Sequence, residues 1–83
     1  MQADQIADLI AKGISGADVR VRGDDGVHFE AVVVSQTFDG LSMIRRHRLV
    51  YDVLGELVGG EIHALSLQAF TPAEWSARVQ ASQ

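Results

Sequence analysis

The 83-residue chain contains no cysteine, one proline and one lysine, and aromatic residues make up only 6% of it. The absence of cysteine excludes disulfide bonds and any metal site that this chain could build from thiolates. The longest apolar run, residues 31–34, is far shorter than the roughly 20 residues of a membrane-spanning helix. The N-terminal residues lack the basic and apolar regions of a signal peptide, so we expect a cytoplasmic protein that does not associate with membranes.

Composition predicts one small acidic domain covering residues 1–83. Hydrophobic residues make up 47% of the chain, which is enough for a single modest core. The net charge of −4 argues against non-specific binding to a phosphate backbone. Three of the six arginines nevertheless cluster at Arg45, Arg46 and Arg48. This cluster is either a local basic face or a solvated helix face.

The first half of the chain predicts a helix followed by a β-hairpin. Residues 19–22 alternate valine with arginine, which is typical of a half-buried strand. The Gly-Asp-Asp-Gly sequence at 23–26 predicts a tight turn, and the valine-rich run at 29–35 predicts a central return strand buried on both faces. Apolar residues at helical spacing define one stripe of a helix over residues 4–14: Ile6, Leu9, Ile10 and Ile14.

The second half predicts a loop at residues 36–41, a long helix and a third strand. The helix begins near Ser42, and Gly59 and Gly60 end it. Gly55, inside this helix, indicates a kink or a close contact. Residues 62–69 form the predicted strand. The apolar face of the helix recurs at i, i+3, i+4, i+7 and i+8: Val50, Val53, Leu54, Leu57 and Val58.

A last helix is predicted by its start signals. Thr71 is the N-cap, Pro72 takes the first helical position, and Glu74 closes a capping box. Phe70 and Trp75 occupy the two positions of a hydrophobic staple, which fixes the direction in which the chain enters this helix.

The resulting order is α-β-β-α-β-α, an α+β fold in a single domain. The hairpin is antiparallel, and a right-handed crossover through the long helix makes the third strand parallel to its neighbour. We therefore expect a three-stranded mixed sheet with helices covering one face. This is the topology of a type II KH-like domain.

Catalysis is not supported by any arrangement of side chains. None of the serines or threonines, nor Lys12, forms a recognisable pair with a histidine, and the sequence has no phosphate-binding loop or zinc-hydrolase motif. Residues 13–16 spell Gly-x-x-Gly, the clamp of nucleic-acid-binding KH domains. They join a helix to a strand instead of joining two helices, so a helix end and turn is the favoured interpretation.

Three histidines remain as the candidate chemistry. From spacing alone, His63 opens the third strand on the same side as Leu65 and Leu67, which favours a partly buried ring bonded to backbone. His28 follows the hairpin turn and is either a functional imidazole or an ordinary exposed residue. His47 lies within Arg-Arg-His-Arg and is interpreted as an exposed helix residue.

The order of short motifs between Phe38 and Trp75 carries a family resemblance. The chain reads Phe-Asp-Gly-Leu-Ser, Arg-Arg-His-Arg-Leu-Val-Tyr, Gly-Gly, Glu-Ile-His-Ala-Leu-Ser-Leu and Phe-Thr-Pro-Ala-Glu-Trp. It resembles the BolA-like family over nearly all of its length, most closely the short-loop acid-stress branch. The resemblance implies a type II KH-like fold and a non-enzymatic adaptor. Such an adaptor would bind a CGFS-type monothiol glutaredoxin and share a 2Fe–2S cluster with it, for iron–sulfur trafficking or for iron and stress sensing.

The resemblance also implies a ligand set. The histidine of the Ile-His-Ala motif, His63, is the implied cluster ligand, while the glutaredoxin supplies its own cysteine and a glutathione thiolate. Many relatives carry a second ligand, Cys or His, in a longer hairpin loop. Here the loop is short and lacks cysteine, which leaves His28 as the nearest imidazole and Asp25 as the fallback. The isolated protein is then expected to carry no cofactor and to be a monomer or a weak homodimer.

Two further functions are compatible with the sequence. DNA binding has been attributed to members of this family, so a KH-like transcriptional regulator could contact DNA through Arg45, Arg46 and Arg48. Alternatively, the cluster-free protein acts only as a protein–protein interaction module.

Overall fold

A computed structural model describes residues 1–23 and 25–82 of the chain. The predicted order α-β-β-α-β-α is confirmed, with 3₁₀ turns at Gln36–Phe38 and Gly55–Leu57. Asp24, part of the predicted hairpin turn, lies outside the described residues. No helix in the described ranges has the length and hydrophobicity needed to cross a membrane. The six main elements are α1 (Ala3–Gly13), β1 (Asp18–Arg22), β2 (His28–Val34), α2 (Met43–Leu54), β3 (Ala64–Phe70) and α3 (Pro72–Ala81).

The three strands form one mixed sheet in the order β1-β2-β3. β1 pairs antiparallel with β2, and β2 pairs parallel with β3, as predicted. The parallel register runs from His28 opposite Ala64 to Val34 opposite Phe70. Consequently the residue that precedes β3, His63, lies at the same end of the sheet as the start of β2.

The core lies between one face of the sheet and the helices α1 and α2. Leu9, predicted on the apolar stripe of α1, is 37% exposed because it lies at the edge of that stripe, on the side away from Ile10. The loop before α2 contributes a side chain that the sequence did not indicate, the fully buried Phe38. The main buried side chains are Ile6, Ile10, Ile14, Phe29, Val33, Phe38, Val50, Leu54, Ile62 and Ala69.

The Gly-x-x-Gly sequence at residues 13–16 is a helix end and turn, as the favoured interpretation had it. α1 ends at Gly13, and Gly16 adopts a left-handed φ of 65°. A Cβ atom on Gly13 would lie 2.5 Å from Cγ1 of Val53. The glycine at this position therefore allows the end of α1 to approach α2 closely.

The long helix ends earlier than predicted. α2 stops at Leu54 because Gly55, whose backbone N–H makes the last helical hydrogen bond to the Tyr51 carbonyl, adopts a φ of 57°. Gly55 is thus the helix stop, and Gly59 and Gly60 belong to the following turn. In that turn Val58 bridges to Ile62, which is fully buried. β3 begins only at Ala64, two residues later than predicted.

The second face of the sheet is largely open. Along each strand, side chains on this face alternate with those on the core face. Val32 on the open face is half-buried. The prediction that β2 is buried on both faces is therefore correct only near the end of the strand. α3 lies over that end: the Trp75 ring packs on Phe70 with centroids 5.5 Å apart, and the Arg20 guanidinium lies 5.6 Å from the Trp75 ring. The expectation that every helix covers one face is therefore wrong for α3.

The start of α3 is capped as predicted. The Thr71 hydroxyl accepts a hydrogen bond from the Glu74 backbone N–H, and Oε1 of Glu74 accepts one from the Thr71 backbone N–H. Pro72 occupies the first turn, and the Phe70–Trp75 contact is the predicted staple.

Arg46 joins α2 to β3 and α3. Its side chain is buried, with the residue only 5% exposed. It donates hydrogen bonds to the backbone carbonyls of Leu41 and Ala69, and both of its terminal nitrogens contact the carboxylate of Glu74, the shorter at 2.6 Å. The prediction that Arg46 contributes to an exposed nucleic-acid-binding surface is therefore wrong, because its guanidinium is occupied inside the protein.

Replacing Arg46 with alanine should lower the free energy of unfolding by about 3 kcal/mol, because two carbonyls and a carboxylate lose their charged donor. Arg45→Ala removes an exposed arginine from the adjacent position and should change stability by less than about 0.5 kcal/mol. Urea denaturation of both variants measures the difference. Equal effects would show that the Arg46 contacts do not stabilise the fold.

The Arg46–Glu74 contact also predicts a pH dependence of stability. Hydrogen bonding from Arg46 lowers the pKa of Glu74 from its ordinary 4.5 to about 2. Since the folded-state pKa is the lower one, the carboxylate stabilises the fold fully above pH 4.5, and this stabilisation is lost as the pH falls towards 2. Urea denaturation across this window should show a loss of stability in the wild type that is smaller in Glu74→Gln. Parallel pH profiles would contradict the assignment.

Candidate metal-ligating site at the hairpin end of the sheet

The two histidines predicted as ligands lie side by side. The β2–β3 register brings His28 next to His63, since His28 pairs with Ala64. The Val27 carbonyl accepts hydrogen bonds from the backbone N–H groups of both His63 and Ala64, at 2.9 and 3.1 Å. The two imidazole centroids are 5.6 Å apart, with the ring planes at 84°. Two candidate ligands far apart in sequence are thus neighbours in space.

His63 is exposed rather than partly buried. The burial expected from spacing assumed that His63 was the second residue of a strand starting at residue 62. Because β3 starts at Ala64, the alternation of strand faces does not reach His63. Ile62 takes the buried position instead, and the imidazole of His63 stands at the surface.

Asp25 supports both the turn and the His28 ring. Its Oδ1 atom accepts hydrogen bonds from the backbone N–H groups of Val27 and His28, at 3.0 and 2.8 Å. Its Oδ2 atom lies 2.5 Å from Nδ1 of His28. The backbone N–H of His28 and that of Val27, followed by the His28 ring, hold the pKa of Asp25 well below its ordinary value. Both carboxylate oxygens are therefore engaged, and the fallback role of Asp25 as a direct ligand would require it to release these partners.

The His28–His63 pair fits a shared metal centre better than a complete one. Two imidazoles that bind one tetrahedral metal ion through bonds of about 2.1 Å have ring centroids roughly 5 Å apart, close to the spacing here. Among residues 1–23 and 25–82, no group of three or more His, Cys, Asp or Glu side chains could hold a metal ion. Imidazole is a suitable ligand for iron, and a 2Fe–2S cluster takes four protein-side ligands. Two histidines from this chain leave the remaining positions to another molecule.

A groove on the open face of the sheet begins at the site. It has a volume of about 650 Å³, and its lining includes Arg22, His28, Ala64 and Ser66. A second groove of about 360 Å³ continues along the same face as far as Gln68. The surface beside His28 is therefore an open, accessible groove.

The capped helix does not adjoin this site. His63 precedes the first residue of β3, whereas α3 follows its last residue, Phe70. The seven residues of β3 separate the two by roughly 20 Å, given a rise of about 3.3 Å per residue. The capped helix and the two histidines therefore lie at opposite ends of β3.

The basic cluster of α2 lies away from this site. Arg45 and Arg48 are exposed on α2, and His47 between them is half-buried. α2 begins at the α3 end of the sheet, because Arg46 contacts Ala69 and Glu74 there. The arginines and the two histidines thus occupy different ends of the molecule.

Comparison with known proteins identifies the family. The family model described as BolA-like protein matches residues 11–74. The chain belongs to the BolA-like family. It is 38% identical over 77 residues to the acid stress protein IbaG of Escherichia coli K12, covering 92% of this chain and 90% of that protein. The expected likeness to the acid-stress branch is confirmed.

Solved structures support the same fold for this BolA-like protein. A bolA protein homologue from Coxiella burnetii superposes with a TM-score of 0.82 at 44% identity, covering 92% of this chain and 97% of that one. Yeast Fra2 gives a TM-score of 0.74 at 30% identity, covering 100% of this chain and 92% of that one. The α+β fold is confirmed, whereas the likeness to type II KH domains stays a prediction.

The role of Asp25 was accessible from the sequence but was not recognised. Asp25, Gly26, Val27 and His28 follow one another, and an aspartate often accepts hydrogen bonds from backbone N–H groups two and three residues ahead. The same geometry brings its second oxygen to the His28 side chain. The spacing Asp-x-x-His at the end of a hairpin turn was the available signal.

Proposed function

We propose that this BolA-like protein is a non-enzymatic adaptor that binds a CGFS-type monothiol glutaredoxin and shares a 2Fe–2S cluster with it. The observation that carries the proposal is the pair of exposed imidazoles, His28 and His63, 5.6 Å apart beside an open groove. The pair supplies half of a four-ligand set. The glutaredoxin cysteine and a glutathione thiolate would supply the other half.

Each histidine has a defined place in this proposal. His63, in the Ile-His-Ala motif, is the primary ligand, and its backbone is tied to the Val27 carbonyl at the end of the sheet. His28 is the second ligand, with its Nδ1 atom held by Asp25. The bound cluster supplies transferable iron and sulfide and an electron-accepting centre, whose potential is raised when histidine replaces thiolate.

An exposed pair of ligands is also what a shared cluster requires. Both rings stand at the surface, so a partner can approach without rearrangement of the core. The groove beside them extends along the sheet on the side that α3 leaves uncovered. We infer that the glutaredoxin covers this end of the open face, where it would exclude water from the cluster.

The nucleic-acid alternative loses support from the burial of Arg46. Arg45 and Arg48 are then the remaining members of the basic cluster, on a domain with a net charge of −4. Since affinity for DNA grows with the number of neutralised phosphates, two arginines provide little binding at physiological salt. DNA binding by these two residues stays a prediction without a structural observation in its favour.

Ligand variants test the proposal in the complex with a monothiol glutaredoxin. The complex is prepared by co-expression and followed by visible absorption and circular dichroism. His63→Ala should abolish the heterocomplex spectrum because it removes the primary ligand, and His28→Ala should weaken it less because His63 remains. Both variants should stay folded, since both side chains are exposed.

His47→Ala is the matched control, because it removes a histidine at the other end of the molecule and should leave the spectrum unchanged. A His63→Ala complex with the wild-type spectrum would show that His63 is not a ligand. If the wild-type protein gives only the spectrum of the glutaredoxin homodimer, the adaptor function itself is wrong.

A further inference from the structure

We infer that Asp25 is a positioning residue that fixes the tautomer and orientation of His28, so that the Nε2 atom of His28 is presented to the metal. The inference deepens the proposed function and rests on it. The inference is based on the two carboxylate oxygens of Asp25, which make different contacts. Oδ1 accepts from the backbone of the turn, and Oδ2 contacts the imidazole.

The contact with Oδ2 determines which ring nitrogen carries the proton. An ionised carboxylate is only an acceptor, so Nδ1 of His28 must be the donor at a separation of 2.5 Å. A neutral imidazole carries one proton on its two nitrogens. When that proton is on Nδ1, the lone pair of Nε2 is free. A ring nitrogen needs that lone pair to bind iron, so Asp25 selects the ligating form before any metal arrives.

The contact with Oδ1 fixes the carboxylate itself. Two backbone N–H groups hold this oxygen, and they belong to Val27 and His28, the residues that lead into β2. The aspartate therefore cannot follow a rotation of the ring without breaking the turn. The edge of one imidazole against the face of the other further restricts the His28–His63 pair. The orientation of His28 is thus set by the turn and by His63 together.

This arrangement has a known energetic consequence in metal sites. A carboxylate that accepts the second N–H of a ligating histidine raises the basicity of that ligand, and its loss typically lowers metal affinity roughly 10- to 100-fold. Asp25 would then compensate for the short, cysteine-free loop of this chain, because it prepares the one imidazole that the loop end offers.

Asp25→Asn separates the two purposes of the carboxylate. The asparagine oxygen can still accept from the two backbone N–H groups, whereas its NH₂ group cannot accept a hydrogen bond from Nδ1. Glu61→Gln is the matched control, because it removes one negative charge two residues from His63 in the exposed turn. Thermal unfolding of both variants checks that the fold is intact.

The first readout is the tautomer of His28 in the isolated protein, from imidazole ¹⁵N chemical shifts under alkaline conditions that keep the ring neutral. The wild type and Glu61→Gln should show the form protonated at Nδ1. Asp25→Asn should lose the preference for it. Retention of the same tautomer in Asp25→Asn would overturn the inference, whatever the glutaredoxin result.

The second readout is cluster retention in the glutaredoxin heterocomplex, measured by competition with an iron chelator. Asp25→Asn should release the cluster at a chelator concentration roughly 10- to 100-fold lower than Glu61→Gln does. Equal retention together with a changed tautomer would overturn the positioning role. Absence of a wild-type heterocomplex would instead remove the proposed function, and the inference with it.

Discussion

The parallel pairing of β2 with β3 is the constraint on which the candidate site depends. His28 and His63 are 35 positions apart in the chain, and only the register that sets His28 opposite Ala64 makes their rings neighbours. The Val27 carbonyl binds the backbone of His63 and Ala64 and so extends this register one residue beyond the strand. A shift of one residue would turn the side chains of β3 to the opposite face and would separate the imidazoles.

The opposite end of the same sheet carries a different kind of interaction. There Arg46 links α2, the end of β3 and the capping box of α3 through carbonyl and carboxylate oxygens. These contacts are largely internal, whereas the two imidazoles are exposed. The molecule therefore separates the residues that stabilise its topology from those that we propose to meet a partner. In so small a domain, this separation allows the two imidazoles to be accessible to solvent without removing side chains from the core.

Local signals in the sequence were sufficient for the order of elements, the hairpin and the capped helix. The two histidines became candidate ligands only through the family resemblance, and their role stays a prediction. Errors arose where a residue's role depends on tertiary contacts. In the sequence, Gly55 indicates a kink inside a longer helix. In the structure its positive φ ends that helix, and β3 starts later than predicted. Arg46 reads like its neighbours Arg45 and Arg48, yet it lies on the side of α2 that faces Glu74. The Asp-x-x-His spacing indicates the hydrogen bonds of Asp25 to the backbone, whereas its contact with the His28 ring became evident only from the geometry of the turn.

We propose that this BolA-like protein contributes two imidazole ligands to a cluster completed by a glutaredoxin. Pulsed electron paramagnetic resonance on the reduced heterocomplex measures this most directly, because it detects ¹⁴N nuclei bound to the iron. Strong couplings from two imidazole nitrogens are expected in the wild type and from one in His28→Ala. A wild-type spectrum without strongly coupled imidazole nitrogen would show that neither histidine binds the iron.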